Sequence, residues 1–184
     1  MNHFHRWYCR TGHWRRTVEE RLLPWALAGA ELGPEVLEIG PGPGLTTDVL
    51  ARRVPRLTAL ELDATLASAL RRRHGAVRVV EGDATAMPFP DASFSGAVAF
   101  TMLHHVPSAA AQDRLLGEVH RVLRPGGLFA GSDSTTSLLF RLAHFRDTMQ
   151  LVDPDGFAER LARAGFRDPE VRTARGAFRF RARR

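Results

Sequence analysis

Residues 38 to 44 read Glu38-Ile39-Gly40-Pro41-Gly42-Pro43-Gly44, with glycine at every second position and proline between. Glycine tolerates backbone angles that other residues avoid, and proline fixes its own, so such a stretch is a tight, preset turn. Before it, Val36-Leu37-Glu38-Ile39 reads as a strand; after it, Leu45, Val49 and Leu50 fall on one helix face. In a strand, glycine turn and helix taken together, the missing side chains let a ligand approach the backbone.

The rest of the chain repeats that alternation. Leu57 to Glu61 is a second strand, followed by a helix with Leu66, Ala69 and Leu70 inward. Val77-Arg78-Val79-Val80 is a third, and Ala97-Val98-Ala99-Phe100 a buried fourth. Ser108 is placed to cap a helix whose Leu115, Leu116, Val119, Val122 and Leu123 form a buried stripe, ended by Pro125-Gly126-Gly127. Leu128-Phe129-Ala130 makes a fifth strand. A last helix starts at Asp153 with Pro154 in its first position and stops at Gly165. From Phe166 the chain reads as two strands, with Phe178 and Phe180 on one face and Arg179, Arg181 and Arg183 on the other. Upstream, Trp14, Val18, Leu22 and Trp25 define an amphipathic helix that Pro24 should bend or shorten. Such alternation implies right-handed crossovers, a mostly parallel sheet, and ligands at the carboxyl ends of the strands.

The 184 residues suit one compact domain and leave no room for a second substrate domain. We divide 1–184 into an N-terminal helical flap (1–33), a ligand-binding core (34–133), and a lid segment with the last helix and final two strands (134–184). The net charge of +6 would ordinarily suggest a nucleic acid partner. Every basic residue is arginine, however, and Ile39 is the only isoleucine, a bias that points to a GC-rich genome. The arginine clusters at 15–16, 52–53 and 71–73 also fall on separate helices, as solvated faces do. Nucleic acid is therefore not the expected partner. The apolar run 22–30 is interrupted by Pro24 and bordered by Glu19 and Glu20, so it does not read as a secretory signal. No stretch approaches the roughly 18 apolar residues of a membrane span. A single cysteine, Cys9, fits a cytoplasmic protein without disulfides.

A dinucleotide fingerprint needs G-x-G-x-x-G, whereas here the third glycine falls one residue early and position 45 is leucine. A carboxylate two residues ahead of the first glycine also suits a cationic ligand better than a pyrophosphate. S-adenosylmethionine, with a sulfonium and an ammonium and no phosphate, is such a ligand. Glu61 ends the second strand, where it could accept both ribose hydroxyls; Asp63 could take that place or cap the following helix. Asp83 follows the third strand, where it could accept the adenine amino group.

Together with Leu123-Arg124-Pro125-Gly126-Gly127, these residues resemble the class I S-adenosylmethionine-dependent methyltransferase superfamily, in its compact UbiE-like, methyltransferase 11 type. The resemblance covers residues 35 to 133. It implies a Rossmann-like α/β fold with helices on both faces of a seven-stranded sheet ordered 3-2-1-4-5-7-6, the last strand antiparallel. It also implies that Glu38, Gly40, Gly42 and Gly44 line the methionine and ribose portion, Glu61 the ribose, and Asp83 with Ala84 the adenine. Phe100 and Thr101 would border the reacting centre.

His104 and His105 follow the fourth strand directly and are the candidates to orient or deprotonate an acceptor, His104 first. Trp7, Tyr8, His144, Arg146 and Asp147 are further candidates to close the pocket, from irregular segments spanning 1–15 and 135–150 that would form a lid. No spacing supports a metal site. Enzymes that methylate base amino groups usually carry an Asn/Asp-Pro-Pro-Tyr type motif after the fourth strand, where this chain reads Phe100-Thr101-Met102-Leu103. The expectation is methyl transfer to a small-molecule acceptor. The alternatives are a cofactor-binding regulator without activity and an RNA methyltransferase.

Overall fold

The computed structural model describes residues 12–135, 150–174 and 176–184. Seven strands form one sheet: β1 (Glu35–Ile39), β2 (Arg56–Glu61), β3 (Arg78–Glu81), β4 (Phe94–Phe100), β5 (Leu123–Ser134), β6 (Arg167–Ala174) and β7 (Ala177–Arg183). Their order is β3-β2-β1-β4-β5-β7-β6, with β7 antiparallel to both neighbours and the other pairings parallel. Chain order reverses between β1 and β4, so the crevice of this switch point opens at their carboxyl ends.

Alternate residues of the central strands feed two apolar layers, as the two-residue period of a strand requires. Leu37, Ile39, Ala97, Ala99 and Phe129 face α5 (Ala109–Val122) and α6 (Pro154–Arg163), which contribute Leu115, Leu116, Val119, Phe157 and Leu161. Val36, Val98, Phe100, Leu128 and Ala130 face the other layer. There α3 (Leu45–Leu50) supplies Val49 and Leu50, and the N-terminal helical run supplies Val18, Leu23 and Ala26. A fourth helix, α4 (Ala64–Arg73), follows β2 and buries Leu66, Ala67 and Leu70. Each large side chain so buried contributes about 1.5–3 kcal/mol.

The helix ends are set by local chemistry. Ser108 Oγ accepts the N–H of Ala111 at 3.1 Å, Asp63 Oδ1 those of Thr65 and Leu66 at 2.8 and 3.1 Å, and Asp153 Oδ1 that of Asp155 at 3.1 Å. Two boundaries differ from expectation. α5 ends at Val122, short of Pro125, because proline disfavours helical angles at Arg124; Leu123 already pairs with Phe94 as the first residue of β5. At the N-terminus, α1 (Gly12–Thr17), a π-helical stretch (Val18–Leu22) and α2 (Leu23–Ala26) run on from one another. Pro24 does not end this run at once. It offers no N–H to the carbonyl of Glu20, and the ladder widens just ahead of it, with Leu23 N–H bonded to the carbonyl of Val18. Two ion pairs help to hold the run on α3 and the turn after it, Arg15 to Asp48 at 3.2 Å and Arg52 to Glu19 at 2.5 Å.

Candidate functional site

The glycine turn between β1 and α3 takes φ values of +62°, +56° and +81° at Gly40, Gly42 and Gly44. These are left-handed angles that cost other L-residues roughly 1–2 kcal/mol each. At Gly40 space is also short, since a Cβ would lie 3.1 Å from the side chain of Met102. Gly42 instead faces open space, with nothing within 4 Å of a notional Cβ. The turn is tied to β2 twice: Gly40 N–H donates to the carbonyl of Leu60 at 2.9 Å, and Gly42 N–H to Glu61 Oε2 at 2.9 Å.

The strand-end carboxylates play different parts. Glu38 is 1 % exposed and lies beneath the turn, accepting hydrogen bonds from the hydroxyls of Thr46 and Thr47 in α3, the latter at 2.7 Å. Burial pushes its carboxyl up to about 7, against the lowering effect of the two threonines; the negative charges of Asp48 and Glu61 add to the rise. Glu38, expected from sequence to line the ligand, lies under the turn and bonds to α3. Glu61 is 7 % exposed, and its second oxygen accepts the N–H of Asp63 at 3.0 Å. Each oxygen accepts one backbone N–H and has a further lone pair that another donor could use. Asp63 caps α4. Asp83 is exposed beyond β3, its Oδ1 accepting Thr85 N–H at 2.8 Å, with Ala84 half-buried beside it. Leu62, next to Glu61, is 70 % exposed. A large apolar side chain left open among polar groups was not singled out from sequence.

Across the crevice, Phe100 ends β4 and Thr101 takes φ +50°, which is rare for a β-branched residue; its N–H donates to the carbonyl of Ser132 at 2.8 Å. A 3-10 turn, Leu103–His105, follows. Its two histidines part company. His104 is buried, with Nδ1 2.5 Å from Asp133 Oδ1 and its N–H bonded to Asp133 Oδ2 at 3.1 Å. His105 lines a cleft of about 100 Å³ between the glycine turn, the β4 end and the N-terminal helices. The cleft wall is otherwise mostly apolar, with Trp14, Val18, Leu22, Phe100 and Met102. His104, the favoured candidate from sequence, therefore faces the protein interior, because its neighbour Asp133 draws the ring inward. Asp133 itself went unnoticed, although a charged residue closing the buried run Leu128 to Ser132 is the same signal that marks Glu38 and Glu61.

A second cavity, about 180 Å³, lies between the turn and α4, lined by Arg15, Leu66 and Arg73 among others, and holds none of the strand-end carboxylates. Trp7, Tyr8, His144, Arg146 and Asp147, and most of both expected lid segments, lie outside the described residues. Among the described residues no cluster of His, Cys, Asp or Glu could hold a metal ion, and no helix is long and apolar enough to cross a membrane.

Residues 37–131, just over half of the chain, match a family described as "Methyltransferase domain". A fatty-acid O-methyltransferase of Mycolicibacterium smegmatis is 40 % identical over 106 residues, which is 55 % of this chain and 38 % of the relative. A malonyl-[acyl-carrier protein] O-methyltransferase of Pectobacterium atrosepticum is 35 % identical over 67 % of this chain and 47 % of its own length. The chain thus spans less than half of either relative. A solved S-adenosylmethionine-dependent methyltransferase from Archaeoglobus fulgidus shares the fold, with a TM-score of 0.75 at 15 % identity over 92 % of this chain and 94 % of that one.

Proposed function

The chain belongs to the methyltransferase domain family of class I S-adenosylmethionine-dependent proteins, and on that footing we propose that it transfers a methyl group from S-adenosylmethionine to a small-molecule acceptor. The observation that carries this reading is the fit of the turn to such a ligand. Gly42 leaves open space where a side chain would stand, and Glu61, bonded to that same residue, has two oxygens with lone pairs to spare. Glu61 takes the ribose hydroxyls. Leu62 and Ala84 flank the adenine, and Asp83 accepts its amino group. Gly40 and Gly42 bring the backbone close to the methionyl portion, with Glu38 supporting them from below.

The bound cofactor supplies a methyl carbon activated by a sulfonium. Phe100, Thr101 and Met102 close the side of the cleft from which an acceptor approaches, and holding it in line supplies much of the rate. On transfer the acceptor would gain the methyl while the bonding pair stayed with sulfur. His105 is placed to orient the acceptor or take its proton. The apolar wall formed by Trp14, Val18, Leu22 and Phe100 suits an acceptor with an apolar body. The name of one relative, a fatty-acid O-methyltransferase, supports the same direction. The lone Cys9 goes with a cytoplasmic setting.

Two measurements test the proposal. S-adenosylhomocysteine should raise the melting temperature and NAD should not. Labelled S-adenosylmethionine offered with metabolite extract and with RNA, side by side, should pass its methyl to the extract. Stabilisation by neither ligand, or methylation of RNA alone, would overturn it.

A further inference from the structure

Asp133 has no part in the chemistry above, yet it is a carboxylate 1 % exposed at the end of β5, one strand over from the reacting centre. Burying such a group is costly unless its partners satisfy it. Its partners are His104 Nδ1 at 2.5 Å, His104 N–H at 3.1 Å and Ser134 N–H at 2.6 Å, and His104 adjoins His105 of the cleft wall. An ionised carboxylate only accepts, so the imidazole nitrogen facing it, Nδ1, carries a hydrogen.

The same 3-10 turn is tied from two further directions. Gln112 Nε2 donates to the carbonyl of Leu103 at 3.0 Å, and Gln150 N–H to that of His104 at 2.9 Å. The ring of His104 then lies against that of His105, with centroids 4.2 Å apart and planes at 44°. An unbroken chain of contacts therefore leads from the buried carboxylate to the one titratable side chain among the described residues that line the cleft.

We propose that Asp133 is a positioning residue: by fixing the tautomer and orientation of His104, it sets the ring of His105 at the wall where the acceptor docks. The inference rests on the methyl-transfer reading for what His105 does there. A buried pair kept only for stability would behave differently, since apolar replacements of such pairs are often tolerated without cost.

Nitrogen-resolved NMR of the histidine rings tests this on the whole protein, with His105→Gln used to assign signals. Unaltered protein should show His104 with a hydrogen on Nδ1. Asp133→Asn should move the ring signals of both His104 and His105 and leave affinity for S-adenosylhomocysteine within about twofold. With metabolite extract as acceptor source, kcat should fall at least about tenfold while KM for S-adenosylmethionine stays put. A His104 without a hydrogen on Nδ1, or ring signals of His105 that do not move in folded Asp133→Asn, would overturn the proposal. If Asp133→Asn fails to fold, His104→Phe takes its place, and unmoved His105 signals there count against it equally. Failure of the unaltered protein to bind S-adenosylhomocysteine would instead strike the cofactor reading, and the ring spectra would still decide the role of Asp133.

Discussion

The carboxylate of Glu61 and the amide of Gly42, 19 residues apart in sequence, meet in a hydrogen bond of 2.9 Å. A ligand contact and a support for the glycine turn are thereby combined in one side chain. Glu61→Ala should weaken binding of S-adenosylhomocysteine by about 1.5–3 kcal/mol, the range for hydrogen bonds to a charged group. Asp63→Ala removes the cap of α4 and should cost about 1 kcal/mol of stability with a smaller loss of affinity. Calorimetry and urea unfolding on the two variants separate these effects; a larger affinity loss at Asp63 would reassign the ribose contact.

Glu38 makes stability depend on pH. Its carboxyl is raised by burial from 4.5 in the unfolded chain to about 7 in the fold. Between those values the folded state holds more protons than the unfolded one, so stability is greatest below the lower value and falls as pH rises through the upper. The loss should reach at most about 3 kcal/mol by pH 8, and Glu38→Gln should flatten it. Urea unfolding from pH 5 to 8 reads the slope. Cationic groups of a bound ligand favour ionised Glu38, so binding near pH 7 should also release protons, seen as a buffer-dependent heat.

Two glycines with the same sign of φ should respond differently to alanine. Gly40, at +62°, has Met102 in the way; Gly126, at +77°, has nothing within 4 Å. Both variants should lose about 1–2 kcal/mol of stability through backbone strain. Only Gly40→Ala should also lose ligand, by more than about tenfold, because the turn must shift to clear Met102. Equal affinity in both variants would show that the turn yields without moving the ligand site.

The histidines differ in what their loss should cost. His105→Ala should lower turnover by roughly 10²-fold with affinity for S-adenosylhomocysteine nearly unchanged. His104→Ala leaves the buried Asp133 carboxylate without its imidazole and should destabilise the protein by about 3–5 kcal/mol. Thermal unfolding beside a turnover assay distinguishes them, and full turnover in His105→Ala would return that residue to packing.

Periodic features were legible in the sequence. The stripe through Leu115, Leu116, Val119 and Val122, the capping residues Ser108 and Asp153, and the alternation of Phe178 and Phe180 with arginines all emerge where spacing put them. The glycine turn and the carboxylates at strand ends were legible for the same reason, because position along a strand fixes which edge a residue reaches. Direction was not. Glu38 turns inward because Thr46 and Thr47, eight and nine residues on, offer hydroxyls from α3. His104 and His105 are adjacent on a 3-10 turn, where neighbours diverge, and only Asp133, 29 residues ahead of His104, decides which is drawn inside. Such pairings belong to tertiary structure, and no local period encodes them.

The wide turn before Pro24 ties the geometry of the cleft to the number of residues in the N-terminal helix. Leu23 and Ala26 are anchored in the core, whereas Trp14 reaches the cleft from the far side of the π-helical stretch. The five residues of the π turn advance about as far around the axis as four α-helical residues would, so deleting one between 18 and 22 would restore ordinary winding with Trp14 still on the cleft, whereas inserting one would swing it by roughly 100°. Substitution at those positions leaves the winding count intact. The segment thus responds unequally to a change in length, and a one-residue insertion there should be tolerated far less than a one-residue deletion or a point change.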